Sequence, residues 1–443
     1  MKTARQLVAE ALASLDARAA WSNRTLDAML QKNNLSEKDR AFAGALFYGV
    51  LERRITLDAC IAAHSSRPPQ KLDDAVRNIL HMGLYQLLYM DSVSAYAAVS
   101  ESVALAEKLR KKSAGGMINA VLRSFLRAGK EIPLPQGAEE RLSVAYSCPV
   151  ELVRFWQAAY GKEATEGILQ QSVCPQPIYL RTNTLRTTPQ ELAAKLAAQG
   201  IACSADELLP ECLQTNRSGA LHATPEYEQG LFHLQDRSSQ ICALALGAQP
   251  GERILDACAA PGGKSFTIAG GMKNQGQIVA CDLREHRTEL VRSSAARLGF
   301  ALIDAQTADM TRHDRALGLF DRVLCDVPCS GLGTIGRKPE IKYKPLDEFA
   351  ELPGLQYKIL ENTAQYCKEG GVLLYSTCTL SPRENQQVTQ RFLEAHAEFA
   401  PDPIPAYGSW EHTVFPAPGV GDGFYMARFV RKKTTAERQP YEN

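Results

Sequence analysis

Two cysteines stand where side chains could do covalent chemistry. Asp326-Val327-Pro328-Cys329-Ser330-Gly331 follows an apolar run, Phe320–Cys325, and Ser376-Thr377-Cys378-Thr379 follows another, Gly371–Tyr375. Both runs read as buried strands bounded by turn residues. One cysteine at a strand end is ordinarily a buried, inert thiol. Two at the ends of parallel strands in one sheet would open into the same crevice, where a thiolate can attack an electron-poor ring. Asp326, three residues before Cys329, adds a carboxyl group able to hold or move a proton there. The other ten of the twelve cysteines, Cys325 included, read as packing.

The run Leu255-Asp256-Ala257-Cys258-Ala259-Ala260-Pro261-Gly262-Gly263-Lys264-Ser265 follows a further strand and opens a helix. Gly262 and Gly263 let a ligand approach the backbone, and the helix start offers unpaired N–H groups. Gly263-Lys264-Ser265 is like the end of a phosphate-binding P-loop, and Phe320–Asp326 imitates the acidic strand that accompanies one. Against a P-loop NTPase, Cys258 stands where the first glycine belongs, and Pro261 removes an N–H that a phosphate cradle needs. Acids at successive strand ends favour S-adenosylmethionine, which carries a sulfonium cation and no polyphosphate. Asp256 ends the first strand, Asp282 the second, within range of both ribose hydroxyls, and Asp309 follows the third, in reach of an adenine amino group. A methyl donor beside two thiols suits methylation of a cytosine at C5. That carbon takes up a methyl group only after a thiolate adds at C6, with Asp326 protonating or hydrogen-bonding N3. A base then removes the C5 proton, the thiolate leaves, and a second thiol, or a water it orients, assists. From these residues alone either cysteine could be the one that attacks.

The elements that must position these groups follow from the hydrophobic pattern. From about Gln235 strand and helix alternate: strands at Arg253–Asp256, Gln277–Cys281, Leu302–Gln306, Phe320–Cys325 and Gly371–Ser376, helices at Ser265–Ala269, Arg284–Gly299, 355–367 and 383–396. This predicts an α/β, doubly wound, Rossmann-like domain over 235–431, with His412–Phe415 and Gly423–Val430 paired antiparallel at one edge. Residues 1–138 predict an all-α domain, with Ser36-Glu37-Lys38-Asp39 as a capping box and helices near 72–90, 93–112 and 115–128. The Pro- and Gly-rich stretch Ile132–Gly137 marks its end. Residues 139–234 predict a small α+β domain: a helix near 140–170, a strand at Pro177–Asn183, and a helix opened by Thr188-Pro189-Gln190-Glu191 and ended at Gly200. Residues 432–443 read as a disordered tail.

Composition sets the outer limits. With 443 residues, 45% hydrophobic and 22% charged, the chain is globular rather than disordered or fibrous. No run approaches the length of a membrane span, and Glu10, Asp16 and Arg18 interrupt any signal-like segment. A cytoplasmic location, with reduced cysteines, is the expectation. No Cys–His set has metal-binding spacing, so no metal is expected. The net charge of +1 conceals an asymmetry. Residues 1–138 hold 19 Lys and Arg against 13 Asp and Glu, an excess of six positive charges, which leaves the remainder five negative. A basic helical part hints at a polyanion. Arg123 and Arg127, on one helical face, are candidate phosphate contacts, as are Arg337, Lys338 and Lys342 in the basic segment Gly336–Lys344, where Tyr343 could stack on a base. Arg181 and Arg186 are weaker candidates, and Lys108–Lys112 are explained by the helix dipole.

Cys258–Lys264, Asp326-Val327-Pro328-Cys329 and Thr377-Cys378 together resemble the RNA cytosine-C5 methyltransferases. Met117-Ile118-Asn119-Ala120-Val121-Leu122-Arg123 resembles the helical RNA-binding domain of the antitermination factors. The combination is similar to the bacterial branch that modifies 16S ribosomal RNA, over nearly the whole chain. The resemblance implies that Cys378 forms the covalent adduct and that Cys329 promotes product release. It implies cofactor contacts from Cys258, Ala259, Ala260, Pro261, Gly262, Gly263, Lys264, Asp282, Asp309 and Asp326. Ser265 stands where that family commonly has threonine, which keeps the hydroxyl. The implied partner is free or partly assembled 16S ribosomal RNA, bound by a monomer. Transfer RNA is the alternative substrate, and a non-catalytic RNA-binding factor is a third class that the intact cysteine pair disfavours.

Overall fold

The structure, a computed structural model, describes residues 2–18, 26, 29–30, 33, 35–216 and 221–433. Most of the expected tail, 434–443, lies outside the described residues. The chain forms two compact units, Met1–Cys174 with Ile335–Lys344, and Pro175–Thr334 with Pro345–Asn443.

The first unit is helical. Its helices are α1 (Ala4–Arg18), α2 (Glu37–Glu52), α3 (Arg54–His64), α4 (Asp74–Tyr89), α5 (Ala95–Lys108), α6 (Gly115–Arg127), α7 (Ala138–Tyr146) and α8 (Val150–Gln171). The apolar stripes read from the sequence close on one core that includes Leu12, Phe47, Leu80 and Phe125. Ser36 caps α2 by accepting from the Asp39 N–H. The Asp39 carboxylate accepts from the Ser36 hydroxyl at 2.7 Å, so the expected box closes side chain to side chain. Helices α7 and α8 pack within this unit. Thr56 of α3 donates to the Val144 carbonyl at 2.6 Å, one bond that ties α7 to the helical unit.

Ile335–Lys344 departs furthest from expectation. It belongs to the helical unit and seats against the end of α2, where the last carbonyls of the helix need donors. Lys342 Nζ donates to the Glu52 carbonyl at 2.8 Å, and the Tyr343 hydroxyl donates to the Leu51 carbonyl at 2.8 Å.

The second unit holds two sheets. A small antiparallel sheet in the order β2-β3-β1-β4 is built from β1 (Ile178–Thr182), β2 (Ser204–Ala205), β3 (Cys212–Thr215) and β4 (Phe232–Leu234). Helix α9 (Pro189–Ala198) starts where the sequence announced, and the structure adds a capping box between Thr188 and Glu191. The large sheet has a parallel centre of β5 (Arg253–Asp256), β6 (Gln277–Asp282), β7 (Ile303–Thr307), β8 (Phe320–Asp326) and β9 (Cys367–Thr377), in the order β7-β6-β5-β8-β9. Beyond β9 lie antiparallel β12 (Phe424–Arg431) and β10 (Phe399–Pro401), with β11 (Glu411–Val414) also on β12. The expected antiparallel pair is therefore present, but β12 lies inside the sheet, covered by β10. Pro401 is tolerated because β10 is an edge strand.

Alternate residues of the central strands feed two cores. Ile254, Ile278, Leu324 and Leu374 face one helix layer, and Leu255, Val279, Val323 and Leu373 face the other. Strand order reverses beside β5, whose neighbours are β6 and β8, so a ligand crevice opens at the carboxyl ends there. Asp256 pairs in register with Leu324, and Asp326 with Ser376, which sets the ends of β5, β8 and β9 nearly level.

Candidate active site

The turn after β8 and the turn after β9 bring two sulfurs together: Cys329 Sγ and Cys378 Sγ are 3.4 Å apart, both half-buried. The backbone enforces this approach. The Gly333 N–H donates to the Cys378 carbonyl at 3.1 Å, and Gly423 N–H donates to the Gly333 carbonyl at 2.9 Å. A Cβ on Gly333 would stand 2.0 Å from the Gly423 carbonyl oxygen, so only glycine fits between the two turns. The Cys329 thiol is pushed well above its ordinary range, first by its hydrogen bond to Cys378, then by burial and by the negative charges around it. The Cys329 thiol therefore keeps its proton, and in the contact between the two sulfurs either can be the donor.

Asp326, the last residue of β8, lies beside the sulfurs. Its Oδ2 accepts from Lys264 Nζ at 2.7 Å, and its Oδ1 accepts from the Ser376 hydroxyl at 2.7 Å. Burial disfavours the Lys264 ammonium, but the groups around it, Asp326 foremost, together hold that pKa above the ordinary value. The ammonium also stands 5.1 Å from the centre of the Phe424 ring. Lys264 therefore points to a carboxylate, not to an anion-binding cradle.

The glycine turn between β5 and α10 (Gly263–Gly271) carries Cys258–Lys264, as expected. Ala259 and Ala260 are buried, and Gly262 adopts φ +106, where an added Cβ would strike the Phe266 ring at 2.3 Å. Burial pushes the Asp256 carboxyl up to about 7, against the bond it accepts from Ser265 Oγ at 2.6 Å. Its Oδ1 is buried with no hydrogen-bond partner. Asp282 ends β6 buried and pairs with Arg287 at 3.1 Å. Asp309, beyond β7, accepts from the Thr311 hydroxyl at 2.7 Å, which with the Thr311 N–H holds its pKa below the usual carboxylate range.

The cations suggested for RNA divide. Arg123 and Arg127 are exposed on α6, and Arg123 donates to Asn119 at 2.9 Å. Arg337 is half-buried and Lys338 exposed. Lys342 corrects the expectation: it is 1% exposed, with its ammonium spent on the end of α2, and cannot meet a phosphate from there. Tyr343 is likewise occupied with backbone carbonyls rather than free to stack. Arg181 is buried against Glu211, and Arg186 donates to the Arg297 carbonyl, so both are structural. Ser376 and Glu384 act on the two turns without having been singled out. Ser376 adjoins the Thr-Cys motif and could have been noticed; Glu384 carries no local signal. Among the described residues, no group of three or more His, Cys, Asp or Glu could hold a metal, and no helix is long and apolar enough to cross a membrane.

A mostly parallel sheet with its functional turns at the carboxyl ends, in a chain that also carries an all-helical unit, defines the class: a Rossmann-like methyltransferase fold with a helical domain. Residues 243–430 match the family described as 16S rRNA methyltransferase RsmB/F, residues 2–127 the NusB family, and residues 148–222 the RsmF/B-like ferredoxin-like domain. The "Probable ribosomal RNA small subunit methyltransferase B" of Bacillus subtilis (strain 168) is 37% identical over 404 residues, 90% of either chain. A protein of the same name from Synechocystis sp. is 37% identical over 449 residues, covering 97% of this chain and 100% of the relative. The solved structure titled "Crystal Structure of PH0851" has the same fold, with a TM-score of 0.80 at 24% identity over 97% of this chain and 99% of that one. The chain belongs to the RsmB/F family of ribosomal RNA methyltransferases.

Proposed function

We propose that this methyltransferase modifies C5 of a cytosine in 16S ribosomal RNA, with Cys378 as the covalent nucleophile. The carrying observation is the 3.4 Å approach of Cys329 and Cys378 beside Asp326. A nucleophilic thiol beside a carboxylate in a methyltransferase fold is what C5 methylation needs and what methylation at a ring nitrogen or a ribose oxygen does not, and the second thiol is placed to assist release. Cys378 adds to C6 of the target base. Asp326, backed by the Lys264 ammonium, manages the charge at N3. After C5 is methylated a base takes its proton, the C5–H electron pair becomes the C5=C6 double bond, and the C6–sulfur bond breaks so that Cys378 departs as a thiolate. Cys329 attends that departure, since a thiol that keeps its proton is the natural donor to a leaving sulfur.

S-adenosylmethionine supplies the methyl group when bound. The residues present fit it: a close-approach turn at Gly262, an unpartnered Asp256 oxygen, and the strand-end acids Asp282 and Asp309. The backbone of Cys258–Gly263 would hold its amino-acid end, Asp282 its ribose and Asp309 its adenine. The NusB-like unit docks the RNA, with Arg123 and Arg127 on phosphates and Arg337 and Lys338 as further contacts. A cytoplasmic setting, where thiols stay reduced, suits two free cysteines in one site.

The test is transfer of labelled methyl groups to 16S ribosomal RNA, followed by digestion to nucleosides. The label should run as 5-methylcytidine, and Cys378→Ala should abolish it while cofactor affinity stays within about threefold. Label in any other nucleoside, or retained transfer by the variant, refutes the assignment.

A further inference from the structure

The two cysteine turns are held together by a buried carboxylate that the chemistry above does not use. Glu384 is 2% exposed. Its Oε1 accepts from the Ser330 hydroxyl at 2.6 Å, and its Oε2 accepts from the Ser330 N–H at 2.9 Å and from Gln356 Nε2 at 2.9 Å. Every partner is a donor, so both carboxyl oxygens are engaged as acceptors. Gln356 spends its other N–H on the Pro328 carbonyl at 3.0 Å. Cys329 is thereby gripped on both sides, through Pro328 and through Ser330.

The same residue reaches the other turn. Ser330 Oγ lies 2.6 Å from Thr379 Oγ1, next to Cys378. Because the Ser330 hydrogen goes to Glu384, Thr379 must be the donor in that contact. Asn385, adjacent to Glu384, donates to the Thr379 carbonyl at 2.9 Å and accepts from the Thr377 hydroxyl at 2.6 Å, which brackets Cys378. The Tyr375 hydroxyl anchors the Glu384 carbonyl at 2.6 Å.

We propose that Glu384 is the positioning residue of the thiol pair: its carboxylate fixes the Pro328–Ser330 turn against Thr379 and so sets the spacing of Cys329 and Cys378. The inference rests on the reading of these cysteines as a working pair. Its charge has a second effect, since the negative Glu384 is one of the groups that keep Cys329 protonated. Position and charge are separable. In Glu384→Gln the amide oxygen can keep the two N–H donors while the NH2 donates to Ser330 Oγ, which turns to Thr379; the clamp survives without its charge. In Glu384→Ala the Ser330 N–H and one Gln356 N–H are left buried and unpaired.

The full-length variants are compared for kcat and KM of methyl transfer, and for alkylation of each cysteine by iodoacetamide against pH, read by mass spectrometry. Glu384→Ala should lose about 100-fold in kcat with KM for RNA and cofactor within about threefold, and Glu384→Gln should recover at least tenfold of that. Glu384→Gln should also alkylate Cys329 at lower pH than the parent. If Glu384→Ala does not fold, Ser330→Ala, which removes the hydroxyl's bonds to Glu384 and Thr379 and keeps the N–H bond to Glu384, should lose about tenfold in kcat. Parent-like kcat in the folded Glu384→Ala or in Ser330→Ala, or a Gln variant as inactive as the Ala variant, overturns the proposal. Cys329→Ala, tested alongside for an RNA adduct that survives denaturation, separates the two levels. An adduct with an unaffected Glu384→Ala sinks the clamp alone, whereas no adduct sinks the cysteine pair, and the alkylation profiles still judge the clamp.

Discussion

Replacing Lys342 with methionine tests whether the basic segment after the Pro-Cys motif is a strut or an RNA contact. Burial pushes this ammonium down to about 8 from an ordinary 10.5. That gap corresponds to about 3 kcal/mol of folded-state cost at neutral pH, where the group is charged in both states. Methionine has a similar length and no charge to desolvate. It forfeits the hydrogen bond to the Glu52 carbonyl, worth about 1 kcal/mol net, although the Tyr343 hydroxyl remains 3.2 Å from that oxygen. The balance is about 2 kcal/mol of stabilisation, or roughly 4–8 °C in melting temperature for a unit of this size. The pH dependence follows from the direction of the shift. The folded protein gives up this proton more readily than the unfolded chain, so the penalty is full below about pH 8 and fades as pH rises toward 10.5. Thermal unfolding of Lys342→Met should therefore lie above the parent at pH 7, with the gap narrowing from pH 8 to 10. RNA affinity and its salt dependence should not change. A variant that melts lower at pH 7, or that binds RNA more weakly, would show the reasoning to be wrong.

Gly333→Ala forces a Cβ to within 2.0 Å of the Gly423 oxygen and 2.9 Å of the Cys378 oxygen. Overpacking against backbone costs about 1–3 kcal/mol, and displacing the Cys378 turn should lower kcat at least tenfold, read by methyl transfer. Arg123→Ala with Arg127→Ala should weaken RNA binding uniformly across sequences and reduce the salt slope of log K by about 1.5, at about 0.7–0.9 per phosphate contact. A slope equal to the parent's would remove both from the interface.

What the sequence disclosed and what it hid divide by range. Periodicity, caps and glycines act over a few residues, which is why β5, β6 and β8 and the helix start at Thr188-Pro189 were readable to within a residue or so. The strand-end placement of Asp256, Asp282, Asp326, Cys329 and Cys378 came from the same local signals. Glu384 was not legible because its bond to Ser330 spans 54 residues and depends on two turns meeting. Lys342 was misjudged because a basic run resembles a solvated RNA loop until the Glu52 carbonyl, 290 residues away, claims its ammonium. The early residues of β9, Lys368 to Gly370, are polar and glycine-bearing, so the strand looked shorter than it is.

The most direct test of the covalent account locates the bond itself. Cys329→Ala, incubated with 16S ribosomal RNA and S-adenosylmethionine, is digested with protease and nuclease, and the nucleotide-bearing peptide is sequenced by mass spectrometry. The account predicts a methylated cytosine joined through C6 to Cys378; a nucleotide on any other residue, or a protein that turns over without ever holding one, would contradict it.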